Sequence, residues 1–504
     1  MDLLTSAWIP VRADRGAGAF CLLTYEELLC HGGTWVISLP RDDLELAGLQ
    51  LLVCMTQVLF LPTEDAALRQ RFNQPLSPEA FADGVRPVVN WFQLDHPTQP
   101  FMQTRGIKAK DRTPIQKLLI GLPDGNNHAF FNEVGEVQRL GAPAAAIALF
   151  NQAANSPSFG GGFKGGLRGG SPVTTLVAGH DLRETVWRNV LTLPRVRQRL
   201  PQYEPDWTRD VPTWIKPIRE QEVIQSATIG LARGLFWQPA HVDLIAADAE
   251  APCDLIDGAP GRVYAGFNKE KFVFTVEGVW PHPHGALKTD VKKGVIEQKF
   301  VSFTTTAPAW THLSEWVVPR TVDAADSQVG CSPAGPVVQA GELGRGRSEP
   351  LRLLIGGYRT NKASVLQRRH ELMSLATGWQ DDKERLRQLV DLGKAAKTAL
   401  RGALYYAAQG ASDRGLPGIG AAIHEVGEQQ FYARTESLFY EVFDNELTFK
   451  AWNTAKKQFA ATVVAQCQAL FKELTDPYAH KPELIPIIAA ARHSLQRKLT
   501  ENLP

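Results

Sequence analysis

The sequence predicts an α+β protein: a large mixed α/β domain over residues 1–363, followed by an all-α domain over 364–504. Three observations lead there. Short β-rich segments, WVISL (35–39), VTTLVA (173–178), KFVFTV (271–276), KFVSFTT (299–305) and LRLLIGG (351–357), alternate with helices and turn residues up to about residue 360. From Ser364 onward those signals fade and helical periodicity dominates. A chain of 504 residues also exceeds what one hydrophobic core usually organises, so two or more domains are expected.

The first strong element is the helix after Pro40, where Asp42 is placed to cap free N–H groups and Glu45 to reach back in a capping box. Its apolar run, Leu46 to Leu61, is interrupted by Gln50, Thr56 and Gln57; it is too short to cross a bilayer and reads as a buried helix. Residues 320–350, poor in large apolar groups and rich in Gly, Pro and Ser, read as a mobile insertion. Helical periodicity then covers 364–377, 381–409, 421–444, 447–475 and 483–502. One face shows at Phe459, Val463, Gln466, Leu470 and Leu474, and helices of this kind most simply form a bundle.

Composition sets looser bounds. Apolar content of 44% is that of an ordinary globular protein. Lys and Arg number 54 against 53 Asp and Glu, a formal charge of +1, so any nucleic-acid contact must come from local patches. That suits contact with a short stretch of duplex and excludes a histone-like coat. The cysteines, at 21, 30, 54, 253, 331 and 467, include no CxxC pair and read as reduced thiols of a cytoplasmic protein. The amino-terminal MDLLTSAWIPVRAD has neither the basic nor the apolar region of a signal peptide.

Phe150 to Pro172, FNQAANSPSFGGGFKGGLRGGSP, gathers Gly160, Gly161, Gly162, Gly165, Gly166, Gly169 and Gly170 with Lys164 and Arg168 in one loop-like segment. Glycines let main-chain N–H groups approach a surface that side chains would hold away, and the two cations suggest an anionic surface. A phosphate loop is one reading, but Lys164 sits between Phe163 and Gly165 instead of in a Gly-Lys-Ser/Thr run. A plain connecting loop is another. Enzymatic constellations are weak. HEVGE (424–428) has Glu428 where a zincin helix needs its second histidine, and His282 and His284 in WPHPH lack a third ligand. No GxSxG elbow and no acidic cluster for two metals is present. The competing classes are a binding subunit and a nucleotide- or metal-dependent hydrolase built around the glycine loop.

Blocks in order along nearly the whole chain then carry a resemblance: LPRDDLELAGLQLLVC (39–54), HPTQPFMQTRGIKAKDRTPIQKLL (96–119), the glycine segment, RGLFWQPAH (233–241), VWPHPH (279–284) and GGYRTNKASVLQRRH (356–370). The chain resembles the CasA-type large subunit of the type I-E CRISPR surveillance complex, Cascade. The resemblance implies a four-helix bundle at the carboxyl end and a non-catalytic role with no cofactor and no metal. Some relatives carry a cysteine cluster where this chain has only Cys253, so no structural zinc is expected.

Such a subunit sits at the crRNA 5′ end and inspects the protospacer-adjacent motif of duplex DNA from the minor groove with a glycine loop, a lysine finger and a wedge on a β-hairpin. The glycine loop maps onto Ser158 to Gly162, that is Gly160, Gly161 and Gly162, with Gly161 as the backbone contact and Ser158 where relatives can have glycine. The lysine finger maps onto Lys269, a long donor able to reach acceptors on the groove floor. The wedge falls in YRTNKAS (358–364), on Asn361, Lys362 and Ala363; Thr360 and Asn361 look like a turn between a strand and the bundle's first helix. Lys362 departs from the glutamine of the family pattern.

By the same resemblance Phe130, Phe131 and Asn132 dock the subunit onto the crRNA handle and its neighbours, although the two phenylalanines also read as core residues. Lys164, Arg168, Lys292 and Lys293, with Arg105, Lys108, Lys110 and Arg112, are candidates for sequence-independent phosphate contacts, or equally for solubilising charge. The implied partners are the crRNA-containing Cascade with its handle-capping, backbone and small subunits, double-stranded target DNA, and a helicase–nuclease recruited after R-loop formation. No membrane partner is implied.

Overall fold

A computed structural model describes residues 1–109, 111–123, 135–247, 253–256, 261–292, 295–322, 329–344 and 349–502. It divides into two compact units, one of Met1–Thr305, Pro319–Leu343 and Arg352–Leu372, the other of Thr306–Val318, Gly344–Leu351 and Met373–Pro504. The first is α+β and the second is dominated by helices, the class that the segment pattern predicts.

In the first unit β1 (Ile9–Arg12), β2 (Phe20–Leu23) and β3 (Val36–Ile37) form a sheet with β1 central. Next comes α1 (Asp42–Leu59), buried along nearly its whole length as the apolar run predicts. Its polar residues are satisfied inside the core: Gln57 exchanges two hydrogen bonds with the Leu191 main chain at 3.0 and 2.6 Å, and Thr56 Oγ1 lies 2.8 Å from the Tyr25 hydroxyl. The capping box expected at Asp42 does not form. Arg41 is the cap residue and makes no side-chain cap bond, since a guanidinium has no acceptor, while Asp42 accepts from the Asp43 N–H at 2.8 Å and pairs with Arg368 at 2.6 Å. Glu45 accepts instead from the Leu39 N–H at 3.0 Å.

Packed on α1 is the alanine-rich α2 (Ala142–Asn155), whose end feeds the glycine segment. Strand β4 (Thr174–Val177) leaves that segment, followed by β5 (Glu222–Gln225), β6 (His241–Ala246), β7 (Val263–Glu270) and β8 (Phe274–Glu277). β7 pairs antiparallel with β6 and with the short pieces Thr113–Pro114 and Leu140–Gly141, and β8 runs parallel to β5. A further sheet holds β9 (Leu287–Lys292) between β10 (Val295–Phe300) and β11 (Gly330–Ser332), before α3 (Gly335–Leu343).

The last two elements overturn part of the expectation of a mobile insertion at 320–350. Cys331, Val337 and Leu343 are buried, and the Gln339 amide bridges the Val190 carbonyl at 2.8 Å and the Thr192 N–H at 3.2 Å. Small residues here pack; their scarcity of bulk misled the composition argument.

The hairpin of β12 (Leu351–Asn361) and β13 (Ser364–Leu375) continues the sheet of β4 in the order β13-β12-β4. Here the helix expected at 364–377 is a strand. Arg369, Met373 and Leu375 are buried while Leu366, Arg368 and Leu372 are exposed, an alternation of period two that the helical reading missed. The predicted turn at Thr360–Asn361 is accordingly the end of β12, and the chain reverses over Lys362–Ala363.

The second unit contains α4 (Lys383–Gln409), α5 (Ile423–Asp444), α6 (Trp452–Thr475) and α7 (Ile485–Asn502), which pack on one another as the predicted bundle. On α6 the buried face is Phe459, Val463, Cys467, Leu470 and Phe471, so Cys467 takes the core position expected of Gln466. Gly393 leaves room for the Phe439 and Trp310 rings, which stack with centroids 3.6 Å apart. In HEVGE, Glu428 is paired with Lys397 at 3.0 Å and Arg401 at 2.8 Å, an ordinary helix-surface charge cluster. No helix among the described residues is long and apolar enough to cross a membrane.

Candidate nucleic-acid interface

The glycine segment has two parts with different physical reasons. Gly165, Gly166 and Gly170 pack against their own chain: a Cβ on Gly166 would stand 2.5 Å from the Ala153 carbonyl, and Cβ atoms on Gly165 and Gly170 would meet Pro157 O at 3.4 and 3.6 Å. Gly160, Gly161 and Gly162 instead take φ of +79°, +57° and +89°, with no atom within 4 Å of where a Gly161 Cβ would be. Three successive left-handed residues require glycine, and they leave the main chain at Gly161 and Gly162 exposed. The turn is closed by the Phe163 N–H donating to Gly160 O at 3.0 Å.

Ser158 enters this turn at φ +137°, a conformation that side chains rarely adopt, while its hydroxyl accepts from the Gly160 N–H at 3.1 Å. Strain and cap thus occupy one residue. Ser158→Gly is expected to stay within about 1 kcal/mol of the parent, relief of strain offsetting the lost hydrogen bond and the added freedom of the unfolded chain. Ser158→Ala keeps the strain, loses the cap, and should fall at least about 1 kcal/mol below the glycine variant in urea melts. Equal stability of the two variants would remove the strain.

Lysines meet this loop from β7. The pairing of β7 with β6, Val242 opposite Lys269, brings the Lys269 ammonium over the Phe159 ring, 5.2 Å from its centroid. That ring is itself held edge-on by Phe163 and tilted against Phe267. Two residues on, Lys271 donates to Gly161 O at 3.3 Å. Lys271 was missed as a site residue; the signal for it is the K-E-K spacing, which sets Lys269 and Lys271 on one side of an extended chain.

The hairpin completes the arrangement. Lys362 has φ +54°, the left-handed backbone that tight hairpin turns demand at their first central residue, and Asn361, Lys362 and Ala363 are all exposed. A Cβ on Gly160 would lie 3.5 Å from the Ala363 Cβ, so the turn touches the glycine loop. Elements some hundred residues apart in sequence therefore converge: 158–162, Lys269 with Lys271, and 361–363.

Other predicted residues do not join them. Arg168 is 5% exposed and donates to Thr174 Oγ1 at 3.0 Å, to the Ala154 carbonyl at 3.2 Å and to Asn155 Oδ1. Burial pushes its pKa down to about 10. A phosphate cannot reach this guanidinium, so Arg168 is a core residue and not the DNA-backbone contact that the sequence suggests; the sequence shows a cation in a loop but not the core beneath it. Lys164 is exposed, whereas Arg105 is engaged by Asp243 at 2.8 Å. Lys292 ends β9 and only its backbone is described; Lys293, Phe130, Phe131 and Asn132 lie outside the described residues.

His282 and His284 are 3% and 0% exposed, with Gln50 Nε2 donating to His284 Nδ1 at 3.4 Å. Burial first, then the nearby Arg168 and Arg199, depress both pKa values, that of His284 to about 3. They are neutral core residues. Cys253 Sγ accepts from the Gly141 N–H at 3.0 Å, and among the described residues no group of three His, Cys, Asp or Glu is placed to hold a metal.

An α+β unit joined in one chain to a helical unit is the fold class of the solved CRISPR-associated proteins that this chain matches. The family model for CRISPR-associated protein Cse1 matches residues 2–496, and the chain belongs to that family, the CasA-type large subunit of type I-E Cascade. Its fold is similar to Thermobifida fusca Cse1, with 16% identity and a TM-score of 0.74 over 100% of this chain and 98% of that one. Thermus thermophilus CasA matches with 18% identity and a TM-score of 0.67 over 99% of each chain. A chain of a CRISPR RNA-guided surveillance complex matches with 16% identity and a TM-score of 0.65 over 98% of this chain and 99% of that one.

Proposed function

We propose that this Cascade subunit is non-catalytic and recognises the protospacer-adjacent motif of double-stranded DNA through the minor groove, helps start strand separation and R-loop formation, and helps recruit the helicase–nuclease that degrades the target. The observation that carries this reading is the convergence of Gly160–Gly162, Lys269 and the Lys362–Ala363 turn, with Gly161, Gly162, Lys362 and Ala363 exposed. The minor groove is narrow, so main chain enters only where side chains are absent, and a lysine arm reaches acceptors on its floor. Lys362, at the tip of a two-stranded hairpin, is the wedge beside the first base pair. Guide pairing reads the remaining sequence while the protein reads the short motif, the division of labour of RNA-guided effectors.

In this reading the first unit, with its hairpin through Leu372, carries the reader, and the helices from Lys383 onward are the bundle. Phe130, Phe131 and Asn132 dock the crRNA handle and neighbouring subunits, Lys164, Lys292 and Lys293 contact phosphates, and the complex works in the cytoplasm without a cofactor. The test is duplex binding and R-loop formation by the reconstituted complex over a library of adjacent motifs at fixed salt. Lys269→Ala should cost roughly 10-fold in affinity for the preferred motif, about the value of one good groove contact. Lys362→Ala should slow R-loop formation with little effect on initial binding. Motif selectivity that persists without the subunit would overturn the reading; unchanged R-loop formation in Lys362→Ala would remove the wedge.

A further inference from the structure

Beneath the glycine loop and the hairpin runs one buried hydrogen-bonded chain that neither element's sequence suggests. At the loop side, Arg168 and Thr174 both donate to Asn155 Oδ1. Asn155 Nδ2 donates to Gln50 Oε1 at 3.1 Å and to Asn151 Oδ1 at 2.9 Å. Asn151 Nδ2 donates to the Tyr358 hydroxyl at 3.0 Å, and that hydroxyl donates to Asp43 Oδ2 at 2.8 Å. Asp43 is clamped by Arg41 at 2.9 and 2.8 Å, while Arg368 reaches Asp42 at 2.6 Å and Asp43 at 3.8 Å.

Tyr358 belongs to β12 and Arg368 to β13, so both hairpin strands end on the same acidic pair at the start of α1. Asn151 and Asn155 belong to the last turns of α2, which carries the glycine loop. Gln50, Asn151, Asn155, Arg168, Tyr358 and Asp43 are all 7% exposed or less. In such a place an unpaired polar group is costly, and a side-chain hydrogen-bond network can be worth more than the sum of its pairs. The Tyr358 hydroxyl is the joint, accepting from the loop side and donating to the hairpin side. It lies four residues from Lys362, about 13 Å along an extended strand.

We infer that Tyr358 is a positioning residue that couples the glycine loop to the wedge hairpin, so that an ordering contact at one orders the other; its effect on DNA rests on the reading above that both elements touch the duplex. The substitution that tests it is Tyr358→Phe, which keeps the ring and removes the joint. In the full-length chain, hydrogen exchange should quicken about 10-fold both at the Gly160 and Phe163 amides of the loop and at the β12–β13 amides, with β1–β2 amides as an unchanged reference. Quickening at the hairpin alone, or equally everywhere, overturns the coupling.

In the reconstituted complex, the effects of the milder Gly161→Ala and of Lys362→Ala on the rate of R-loop formation should be non-additive by about 5-fold with Tyr358 present and additive within about 2-fold in Tyr358→Phe. Non-additivity unchanged by Tyr358→Phe overturns the proposal. If neither single change alters R-loop formation, the duplex-reading function fails, and the exchange result alone decides whether the coupling exists.

Discussion

Gly161→Asp is expected to abolish motif-selective duplex binding by the assembled complex, with a loss of about 100-fold or more in affinity. Gly161 has φ +57° and nothing within 4 Å of its missing side chain, so the fold tolerates the substitution. Aspartate is among the side chains that visit the left-handed region, which limits the cost to the protein itself. On the proposed reading the cost falls on the complex: the new carboxylate would stand where the main chain is to approach DNA, and juxtaposed like charges cost several kcal/mol. Lys271, bonded to Gly161 O, offers a counter-charge, so the double change Gly161→Asp with Lys271→Ala should bind no better than Gly161→Asp alone. The check is affinity for preferred and non-preferred motifs at one salt concentration, with melting of the free subunit as control. Retained selectivity in a folded variant would remove Gly161 from the interface.

The second large effect is a loss of stability in acid. His282 and His284 are held neutral by burial and by Arg168 and Arg199, with pKa values below the ordinary 6.5. A base whose pKa is depressed on folding leaves the native state with fewer protons than the unfolded chain once the pH drops below about 6.5. Stability is therefore full above that value and falls as pH decreases toward the folded pKa. With two such imidazoles the slope approaches about 2.7 kcal/mol per pH unit. Urea melts at pH 7, 6 and 5 should show it, and His284→Gln should reduce the slope by about half. A flat profile from pH 7 to 5 would mean that both rings are protonated in the native state, and a half-sized slope that one is.

These histidines show where sequence reasoning stopped. The pair in WPHPH was legible as structural in place of metal-binding, because two ring nitrogens without a third ligand make a poor site. Their depth and their cationic neighbours were not, since Arg168 and Arg199 approach from other segments. Gly160–Gly162 and Lys269 were singled out through motif resemblance, whereas Lys271, at the same K-E-K spacing, was passed over as surface charge. Arg168 was misread because a loop that folds back on its own helix looks, in one dimension, like a loop that faces solvent.

Local chemistry alone determined much of this protein. The apolar run of α1, the amphipathic faces of the bundle and the glycine triplet follow from residue size, spacing and backbone freedom, all properties of neighbours along the chain. Tertiary structure decided which glycines face solvent and which fill a crevice, which cation is a core residue, and that 364–375 forms a strand. It also decided the joint at Tyr358. Each of these depends on burial and partner geometry between segments up to some three hundred residues apart. A side chain's protonation, exposure and hydrogen bonds are properties of what surrounds it.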